Sequence, residues 1–521
     1  MKTMAGRAVR RIAAFMTATG LVIGAQAIAP SGGAGAVSSG GSVLTTGLAF
    51  SGYGSPITID PAQFQTVACC FAYNWPIYGG LLRETASGAY VPDLASSVTI
   101  PDASTLDITL RSGLVYSNGK PLNAAAVKAG YERNLADPNH GAWDAPMYTL
   151  SSIDVTGTDS LVLHFSSPDA AAFYPELADV ESFMALPTGP SNGPPNTNVV
   201  GAGPFMIKSY TTDSSIVLVK NPRYWDAKSI ALSGITIINV PSGPQQLDAL
   251  RSGLVDVEGI PSADFGILKS LTNFKTYATI ADASYLYVPI CKSSGPLANV
   301  KVRQALNYAV NRVAINQAVL DGLGQAAWSL FPASSVFYDH SLTNIYAYNL
   351  KKAKQLLAQA GYPNGFSTTI IPGPDLPDQL APALQAEWAQ IGVKLTIVES
   401  SNFVTDLFQD HKAPMGIIPG GVPGISKLTT MYIPNGSIGD LCNYDNPKLN
   451  ALTKEIESLP PTSPRLRAAW VQAQDIVIKD ALGVYIDYSP SITAAGKNVR
   501  NLQEIPADGG VLNYWVVSLR G

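Results

Sequence analysis

The residues best suited to acid–base catalysis or metal binding are four histidines, and they lie far apart in the chain: His140, His164, His340 and His411. None stands in a pattern with carboxylates that would predict a catalytic triad. The motifs G-x-S-x-G, H-E-x-x-H, Walker A and G-x-G-x-x-G are absent, and no acidic pair marks a glycosidase dyad. The glycine-rich stretch at 201–204 ends in Pro204, which lacks the amide N–H that a phosphate-binding loop needs, so we interpret it as a turn. These observations argue against an enzyme and predict no cofactor.

The four cysteines, Cys69, Cys70, Cys291 and Cys442, are the other chemically reactive group. Four cysteines allow three pairings, and the sequence does not choose among them. The adjacent Cys69 and Cys70 could bridge only with strain. No C-x-x-C spacing and no nearby histidine exists, so the sequence predicts no metal site. One disulfide with two buried thiols is the simplest interpretation.

The composition is that of a large globular chain. Of the 521 residues, 46% are hydrophobic and 14% are charged, which excludes a disordered or fibrous protein. The length allows two to four domains. The net charge is −4, and residues 1–36 carry four positive charges, so the remainder is near −8. A mildly acidic body offers no basic patch for phosphates, and nucleic acid is therefore excluded as a partner.

The N-terminus has the pattern of a signal peptide. A basic segment, residues 1–11, precedes an apolar run at 12–23, and small-x-small sites end at Ala27 and Ala36. We therefore predict a signal peptide over residues 1–36, cleaved near 27 or 36. The apolar run is too short for a membrane anchor. The first cysteine is Cys69, so no lipobox cysteine is available, and we expect an exported protein that is periplasmic, extracellular or associated with the cell envelope.

Hydrophobic periodicity and capping residues predict alternating strands and helices, which is typical of α/β layers. The predicted strands lie at 43–48, 106–110, 161–165, 215–220, 235–239, 285–288, 393–398 and 484–488. The predicted helices lie at 74–82, 123–135, 245–251, 300–320, 349–360, 379–391 and 464–479.

Several short motifs follow one another along the chain. They are Ile-Tyr-Gly-Gly-Leu-Leu-Arg at 77–83 with Tyr-Val-Pro-Asp-Leu-Ala at 90–95, Leu-Arg-Ser-Gly at 110–113 with 118–124, Gly-Ala-Gly-Pro-Phe at 201–205, Asn-Pro-Arg-Tyr-Trp at 221–225, Val-Arg-Gln-Ala-Leu-Asn-Tyr-Ala at 302–309, and Ala-Lys-Gln-Leu-Leu at 353–357 with Ala-Gly-Tyr at 360–362. In this order they resemble the family 5 extracellular solute-binding proteins, the oligopeptide-, dipeptide- and nickel-type receptors of ABC importers. Asn311 stands where the family has an Asp before Arg312. We interpret Tyr224, Trp225 and Arg303 as packing residues that identify the family without contacting the solute.

The resemblance implies an α/β, two-lobed periplasmic-binding-protein fold of type II, in the large oligopeptide-receptor-like form with an extra subdomain, joined by a hinge. Lobe I would comprise residues 37–285 plus 485–521, with an inserted subdomain at about 71–199. Lobe II would comprise residues 286–484. The hinge strands would lie at 285–289 and 484–488. Such a receptor needs a concave cleft and no reactive centre.

Two charged positions that peptide-binding members use are not apparent in this chain. The family's acidic residue for the ligand amino group falls near Gly420, and its tryptophan position falls on Ile417. The arginine for the ligand carboxylate would fall at 372–375, which contains no Arg; Asp375 or Asp440 is the alternative charged group. Without this acidic residue and this arginine, the chain lacks two charge-assisted hydrogen bonds to the ligand termini, worth about 1.5–3 kcal/mol each. We therefore expect weak binding of short unmodified peptides.

Aromatic and glycine residues are the remaining candidates for solute contacts, by analogy with the family. The aromatic side chains would stack on an apolar, aromatic or sugar-like solute. The glycines would let a ligand approach the backbone. The complete predicted set is Tyr53, Tyr73, Asn74, Trp75, Trp143, Tyr148, Phe403, Gly420, Gly421, Val422 and Gly424. An uncharged organic solute and a longer peptide held through its backbone fit this set equally well.

The resulting prediction is the extracytoplasmic solute-binding subunit of an ABC importer, a monomer that captures a peptide or other small organic solute and delivers it to permease and ATPase subunits. The alternatives are a secreted hydrolase acting on a bound solute and a scavenging or sensing receptor without transport. Because Cys291 lies just past the first crossing and Cys442 lies inside lobe II, we expect any long-range disulfide to join them. The alternative is a Cys69–Cys70 pair with the other two reduced.

Overall fold

Three β-sheets with their packed helices make up most of the described chain. The computed structural model describes residues 42–50, 59–61, 71–86, 89–136, 149–179, 182–183, 185–186, 200–261, 264–279, 285–293, 295–333, 335–373, 376–400, 402–419, 428, 432, 441, 444–459, 463–505 and 511–520. The chain from Gly41 to Gly521 forms one compact unit.

The strands, numbered along the chain, are β1 (Val43–Leu48), β2 (Leu82–Glu84), β3 (Tyr90–Pro92), β4 (Ala95–Asp102), β5 (Thr105–Leu110), β6 (Leu150–Val155), β7 (Ser160–Phe165), β8 (Phe205–Thr211), β9 (Ser215–Lys220), β10 (Gly234–Asn239), β11 (Val257–Gly259), β12 (Phe274–Thr279), β13 (Leu286–Pro289), β14 (Gln325–Ala326), β15 (Ser367–Pro372), β16 (Lys394–Ile397), β17 (Gly416–Pro419), β18 (Gly483–Tyr488), β19 (Ser491–Gly496), β20 (Val499–Arg500), β21 (Glu504–Ile505), β22 (Val511–Leu512) and β23 (Ser518–Leu519).

The α-helices are α1 (Phe71–Tyr78), α2 (Ala124–Ala136), α3 (Ala170–Glu176), α4 (Pro244–Ser252), α5 (Phe265–Ser270), α6 (Val300–Tyr308), α7 (Arg312–Val319), α8 (Leu350–Gln359), α9 (Leu380–Ala389), α10 (Pro447–Ser458) and α11 (Pro464–Lys479). A π-helical turn spans Thr405–Gln409. Within the described residues, no helix combines the length and the apolar character needed to cross a bilayer.

A seven-stranded mixed sheet has the order β12-β19-β11-β1-β10-β9-β8. Its central strand, β1, pairs in parallel with β10 from Val43↔Gly234 to Leu48↔Asn239, and with β11 at Thr46↔Val257. Apolar residues that alternate along these strands, such as Leu44, form one large core with α1. Helix α4 contacts β11 and β19, and α5 contacts β12. The strand periodicity predicts β1, β9 and β10 of this sheet, because these strands bury alternate residues.

A four-stranded antiparallel sheet, in the order β4-β5-β7-β6, is inserted in the chain between β1 and β8. It packs with α2 and α3 around its own core, which includes Leu106, Val127, Leu161 and Phe173. Helix α2 begins where predicted, because the Asn123 side chain accepts a 3.0 Å hydrogen bond from the Ala126 amide. A separate core fits an inserted subdomain, and its limits at about 71–199 stay a prediction.

A six-stranded mixed sheet, in the order β14-β18-β13-β17-β15-β16, carries the other large core. Helices α6, α7, α8 and α9 contribute apolar residues to that core. Helices α10 and α11 belong to a further cluster, which also contains tyrosines of β13 and β18. The predicted α/β class is confirmed by these mixed sheets and their helices.

The chain passes between the two large sheets twice. It leaves β12 of the seven-stranded sheet and enters β13 of the six-stranded sheet, and it returns from β18 to β19. The predicted lobe boundary at 484/485 falls inside β18, which pairs with β13 from Pro289↔Gly483 to Leu286↔Asp487. All of β18 belongs to the six-stranded sheet, and Ser489 and Pro490 connect it to β19 of the seven-stranded sheet. The rest of the predicted division into lobes remains our proposal.

The helix predicted over 300–320 is two helices, α6 and α7, because polar side chains end one and begin the other. The Asn311 side chain accepts a 3.1 Å hydrogen bond from the Ala314 amide and so caps α7. The guanidinium of Arg312 is buried and donates to the carbonyls of Ala327 and Tyr485. The helix predicted over 74–82 ends instead at Tyr78, since Gly79 takes a left-handed conformation with φ of 63°.

Candidate functional site

The six-stranded sheet directs the carboxyl ends of its parallel strands towards the edge where the chain crosses. Strands β15, β16 and β17 are parallel, so residues after Pro372, Ile397 and Pro419 share that edge. Leu286, at the start of β13, pairs with Pro419 and with Asp487, and both crossings therefore leave this sheet at the same edge. In open α/β sheets, ligands bind outside the carboxyl ends of the strands.

The seven-stranded sheet has the matching arrangement. Strands β1, β10 and β11 are parallel, and their carboxyl ends are Leu48, Asn239 and Gly259. Gly259 pairs with Thr493, and Thr279 pairs with Ser491, so the end of β12 and the start of β19 lie at this edge too. Each crossing thus joins the carboxyl edge of one sheet to the carboxyl edge of the other. These two edges define the candidate site.

Three of the predicted solute contacts lie in the interior of the molecule. Tyr73, Asn74 and Trp75 belong to α1 and are each 0% exposed. The Trp75 ring packs against that of Trp515, with centroids 4.1 Å apart. Burial raises the pKa of Tyr73 well above its ordinary value, with a smaller contribution from nearby Tyr210. The structure therefore places these three side chains in the interior, and their contact with a solute stays a prediction.

Phe403 is the predicted contact that the structure places at the carboxyl edge. Its half-buried ring meets that of Phe408 edge-on, with centroids 6.0 Å apart. The ring atoms Cζ and Cε1 lie 3.4 and 3.5 Å from the position that a Cβ would take on Gly373, just after β15. The Gly373 amide donates a 2.8 Å hydrogen bond to the Ile417 carbonyl. A Cβ at position 373 would make ordinary contact with the Phe403 ring but would lie only 2.8 Å from the Ile417 carbonyl oxygen, so the backbone there would have to shift.

The remaining predicted contacts lie outside the described residues. They are Tyr53, Trp143, Tyr148, Gly420, Gly421, Val422 and Gly424. In the sequence, Tyr53 follows β1, and the residues from Gly420 to Gly424 follow β17. Tyr53 and the residues from Gly420 to Gly424 therefore come after strands whose carboxyl ends face the candidate site. Contact of all seven residues with a solute stays a prediction.

A buried tyrosine cluster on the crossing strands is a feature that the sequence analysis missed. Tyr287 of β13 and Tyr485 of β18 have ring centroids 4.7 Å apart. The Tyr432 hydroxyl donates a 2.7 Å hydrogen bond to that of Tyr287 and lies 2.5 Å from that of Tyr485. Burial raises the pKa of Tyr432 and Tyr485 well above the ordinary value, so both phenols stay neutral. The alternation of Tyr285 with Tyr287 was the available signal.

An ionisable group lies beside the second crossing. Asp487 accepts a 2.7 Å hydrogen bond from the Asn316 side-chain amide and a 3.3 Å hydrogen bond from the Ser489 hydroxyl. Burial raises the pKa of Asp487 to about 6, although both hydrogen bonds act in the opposite direction. Gly324 allows this packing, since a Cβ there would lie 1.7 Å from Asp487 Oδ1. Asp487 therefore joins the 316–324 region to the crossing.

The motif residues at 221–225 tie the inserted sheet to the seven-stranded sheet. Asp93 accepts hydrogen bonds from the Tyr224 hydroxyl at 2.5 Å and from the Trp225 indole at 2.8 Å. The Arg111 guanidinium lies 3.6 Å from the centroid of the Trp225 ring. Burial raises the pKa of Asp93 to about 6 against these hydrogen bonds. The predicted packing role of Tyr224 and Trp225 fits these contacts.

Arg303, the other motif residue, is buried and holds a helix end. Its guanidinium donates to the carbonyls of Leu297, Ala298, Asp480 and Ala481. Asp480 and Ala481 follow the end of α11, so Arg303 fixes the turn that leads into β18. Arg303 therefore stabilises the turn that precedes the crossing strand β18.

Cys291, the single cysteine among the described residues, is disulfide-bonded. This contradicts the alternative in which Cys291 stays reduced beside a Cys69–Cys70 pair. Its side chain packs in a small cluster that includes Ile371, Leu407 and Leu441. Over the described part of the chain, no three His, Cys, Asp or Glu side chains are grouped as metal ligands.

Comparison with known proteins gives one family and one fold. Residues 89–435 match the model of the bacterial extracellular solute-binding proteins, family 5 Middle. The chain is 27% identical over 496 residues to heme-binding protein A of Haemophilus influenzae, covering 87% of this chain and 89% of the relative. It is 29% identical over 384 residues to di/tripeptide-binding protein 3 of Pseudomonas aeruginosa, covering 67% and 72%.

The fold is shared with solved structures. The chain resembles the ABC transporter-associated periplasmic binding protein DppA from Helicobacter pylori in complex with peptide STSA, with a TM-score of 0.78 at 22% identity. The match covers 92% of this chain and 98% of that one. The likeness confirms the predicted periplasmic-binding-protein fold.

Proposed function

This chain belongs to the family 5 bacterial extracellular solute-binding proteins of ABC importers, and from that premise we propose that it captures a peptide, or a small organic solute that carries amide groups, between its two lobes. The single observation that carries the proposal is the arrangement of the two crossings. They join the carboxyl edges of both large sheets, and Phe403 lies at one of those edges. A solute held between the edges would favour the closed form through contacts that only the closed form makes.

The peptide class is supported by what the relatives are named for. The relatives and the structural neighbour described above include proteins named for di/tripeptides and for a bound peptide. The relatives are binding proteins, which supports a receptor rather than the secreted hydrolase. We further propose export by the segment at 1–36, action as a monomer, and delivery to permease and ATPase subunits. Genes for such subunits beside this one would distinguish transport from scavenging or sensing.

The proposed solute is held through its backbone and apolar groups rather than through its charged termini. No arginine stands at 372–375 to bind a ligand carboxylate, and a side chain at Gly373 would lie too close to the Ile417 carbonyl. Desolvating a charged peptide terminus without a partner is costly. Phe403 instead presents an aromatic ring at the edge. We therefore propose a terminally blocked or longer peptide with an aromatic side chain as the better ligand.

The test is thermal unfolding with three probes: an unmodified dipeptide, a hexapeptide containing one Phe with acetylated and amidated ends, and the same hexapeptide with Ala in place of Phe. A ligand at a hundred times its Kd stabilises the native state by about 2.7 kcal/mol. We expect a clear rise in Tm with the Phe hexapeptide and none with the dipeptide. A strong shift with the dipeptide would show that a charged anchor exists, and no shift with any peptide would overturn the peptide class.

A further inference from the structure

Phe403 is placed at the carboxyl edge by an irregular segment that needs side-chain support. The segment after β16 contains a π-helical turn over Thr405–Gln409, which replaces ordinary α-helical hydrogen bonding. π-Helical turns are rare and occur often at functional sites. Leu407 fixes one side of the turn, because its Cδ2 lies 2.3 Å from the position that a Cβ would take on Gly416 of β17. Phe403 precedes this turn and is not part of it.

Asp406 closes the segment around Phe403. Its carboxylate accepts a 2.6 Å hydrogen bond from the Ser400 hydroxyl, which precedes Phe403. It also accepts a hydrogen bond and forms an ion pair with the Lys412 ammonium, which follows the turn. The Asp406 amide donates a 2.9 Å hydrogen bond to the Asn402 carbonyl, and the Lys412 amide donates a 2.8 Å hydrogen bond to the Asp406 carbonyl. We call Ser400, Asp406 and Lys412 the clasp.

Asp406 in the clasp forms an ion pair with Lys412 and a hydrogen bond with the neutral Ser400 hydroxyl. The hydrogen bond from Lys412, and then that from Ser400, hold the pKa of Asp406 below its ordinary value. The pKa of Lys412 is raised by Asp406. Lys412 also lies 3.5 Å from Asp410, so a second carboxylate helps to keep the ammonium in place. Near neutral pH the carboxylate is therefore ionised and the clasp is closed.

We propose that Asp406 is a positioning residue that holds the Phe403 ring against Gly373 and thereby selects solutes with an aromatic or other flat apolar group. The effect on the solute rests on the proposed function, whereas the effect on the ring does not. Asp406 acts through Phe403, since its carboxylate oxygens are occupied by Ser400 and Lys412. The clasp fixes residues on both sides of Phe403, so its loss gives the ring several orientations in place of one.

The test places 4-fluorophenylalanine at position 403 and records its ¹⁹F resonance in the ligand-free full chain. We expect one narrow resonance in the parent protein and a broadened or shifted resonance in Asp406→Asn and Lys412→Met. Lys412→Arg, which keeps the ion pair, should restore the parent signal. The matched control is Asp475→Asn, which breaks the Lys479–Asp475 pair on the remote helix α11. An unchanged resonance in Asp406→Asn, or an equal change in Asp475→Asn, would overturn the proposal.

The second measurement is affinity for the blocked Phe and Ala hexapeptides in the natural chain. Asp406→Asn should lower the preference for the Phe peptide several-fold, and Lys412→Arg should retain it. Retention of the full preference in Asp406→Asn would overturn the selection role. If the parent chain binds neither peptide, the proposed peptide class fails, while the ¹⁹F resonance still decides whether Asp406 positions Phe403.

Discussion

The indole N–H of Trp515 donates a 2.9 Å hydrogen bond to the hydroxyl of Tyr224, 291 residues earlier in the chain. The same hydroxyl donates to Asp93, so one phenol joins the C-terminal segment, the seven-stranded sheet and the inserted sheet. Tyr224 is buried, and its hydroxyl is engaged by Trp515 and Asp93. The contact explains why the motif at 221–225 marks a fold rather than a ligand.

Removal of that hydroxyl is the first prediction. Tyr224→Phe leaves the Trp515 indole N–H without its acceptor and removes one of the two hydrogen-bond donors to Asp93 Oδ1. An unsatisfied buried polar group costs about 1–3 kcal/mol. We expect a loss of stability of that size in denaturant unfolding. Tyr348→Phe, at an exposed tyrosine, is the control and should change little. Equal stability of Tyr224→Phe and the parent would contradict the proposed joining role.

The second prediction concerns pH and the contact between α3 and α10. Burial, and next the nearby Asp169 at the start of α3, raise the pKa of Glu457 to about 8, and Lys454 acts in the opposite direction. A carboxyl group whose folded pKa is raised stabilises the folded state fully below its unfolded pKa, about 4.5. That contribution is lost as the pH rises through about 8.

Glu457→Gln removes the ionisable group and with it the loss of folding stability at high pH. Its Tm should exceed that of the parent at pH 8.5, and the two should converge near pH 4.5. Glu455→Gln is the matched control on the same helix, because Glu455 pairs with Arg465 rather than facing α3. Parallel pH curves for Glu457→Gln and the parent would show that the pKa of Glu457 is not raised in the folded protein.

The third prediction assigns the disulfide of Cys291. Leu441 packs in the same cluster as Cys291, so we expect the neighbouring Cys442 to be its partner. Peptide mapping without reduction should yield a linked 291–442 peptide. Disulfides typically contribute about 2–4 kcal/mol to stability, and a Cys291→Ser/Cys442→Ser double variant should lose an amount of that order. A link from Cys291 to Cys69 or Cys70 would refute the assignment.

The fourth prediction is closure of the cleft. Because two crossings connect the large sheets, we expect the blocked Phe hexapeptide to reduce the radius of gyration measured by solution X-ray scattering. We expect the Phe403→Ala variant to bind the peptide more weakly and therefore to need more peptide for the same change. Saturation confirmed by an independent binding assay without compaction would exclude ligand-driven closure.

The regular elements could be predicted wherever local signals agreed. Helix α11 matches its predicted bounds of 464–479, because Ser463 caps it and Pro464 occupies its first turn. The break between α6 and α7 was missed although Asn311 is a local capping residue, because Arg312 beside it reaches carbonyls that are distant in sequence. Periodicity carries no information about such distant acceptors.

The candidate site was harder to predict than the fold. Aromatic residues are equally suited to a core and to a cleft, and Tyr73 and Trp75 belong to a core. Phe403 differs from them through two neighbours. Gly373 is distant in sequence, and the π-helical turn is an irregular element without a periodic signal. The tyrosines of β13 and β18 were missed because the alternation of Tyr285 with Tyr287 does not show that Tyr432 joins Tyr287 to Tyr485 through hydrogen bonds.

The two crossings also limit the directions in which the halves of the molecule can move. They start side by side in one sheet, where Leu286 faces Asp487, and end side by side in the other, where Thr279 faces Ser491. Two neighbouring crossings can bend together about the line that joins them. They should resist shear and twist, because either motion would stretch one crossing relative to the other. We therefore expect a single soft rotation, with the other rotations stiff, which inter-domain residual dipolar couplings would resolve as one axis of motion.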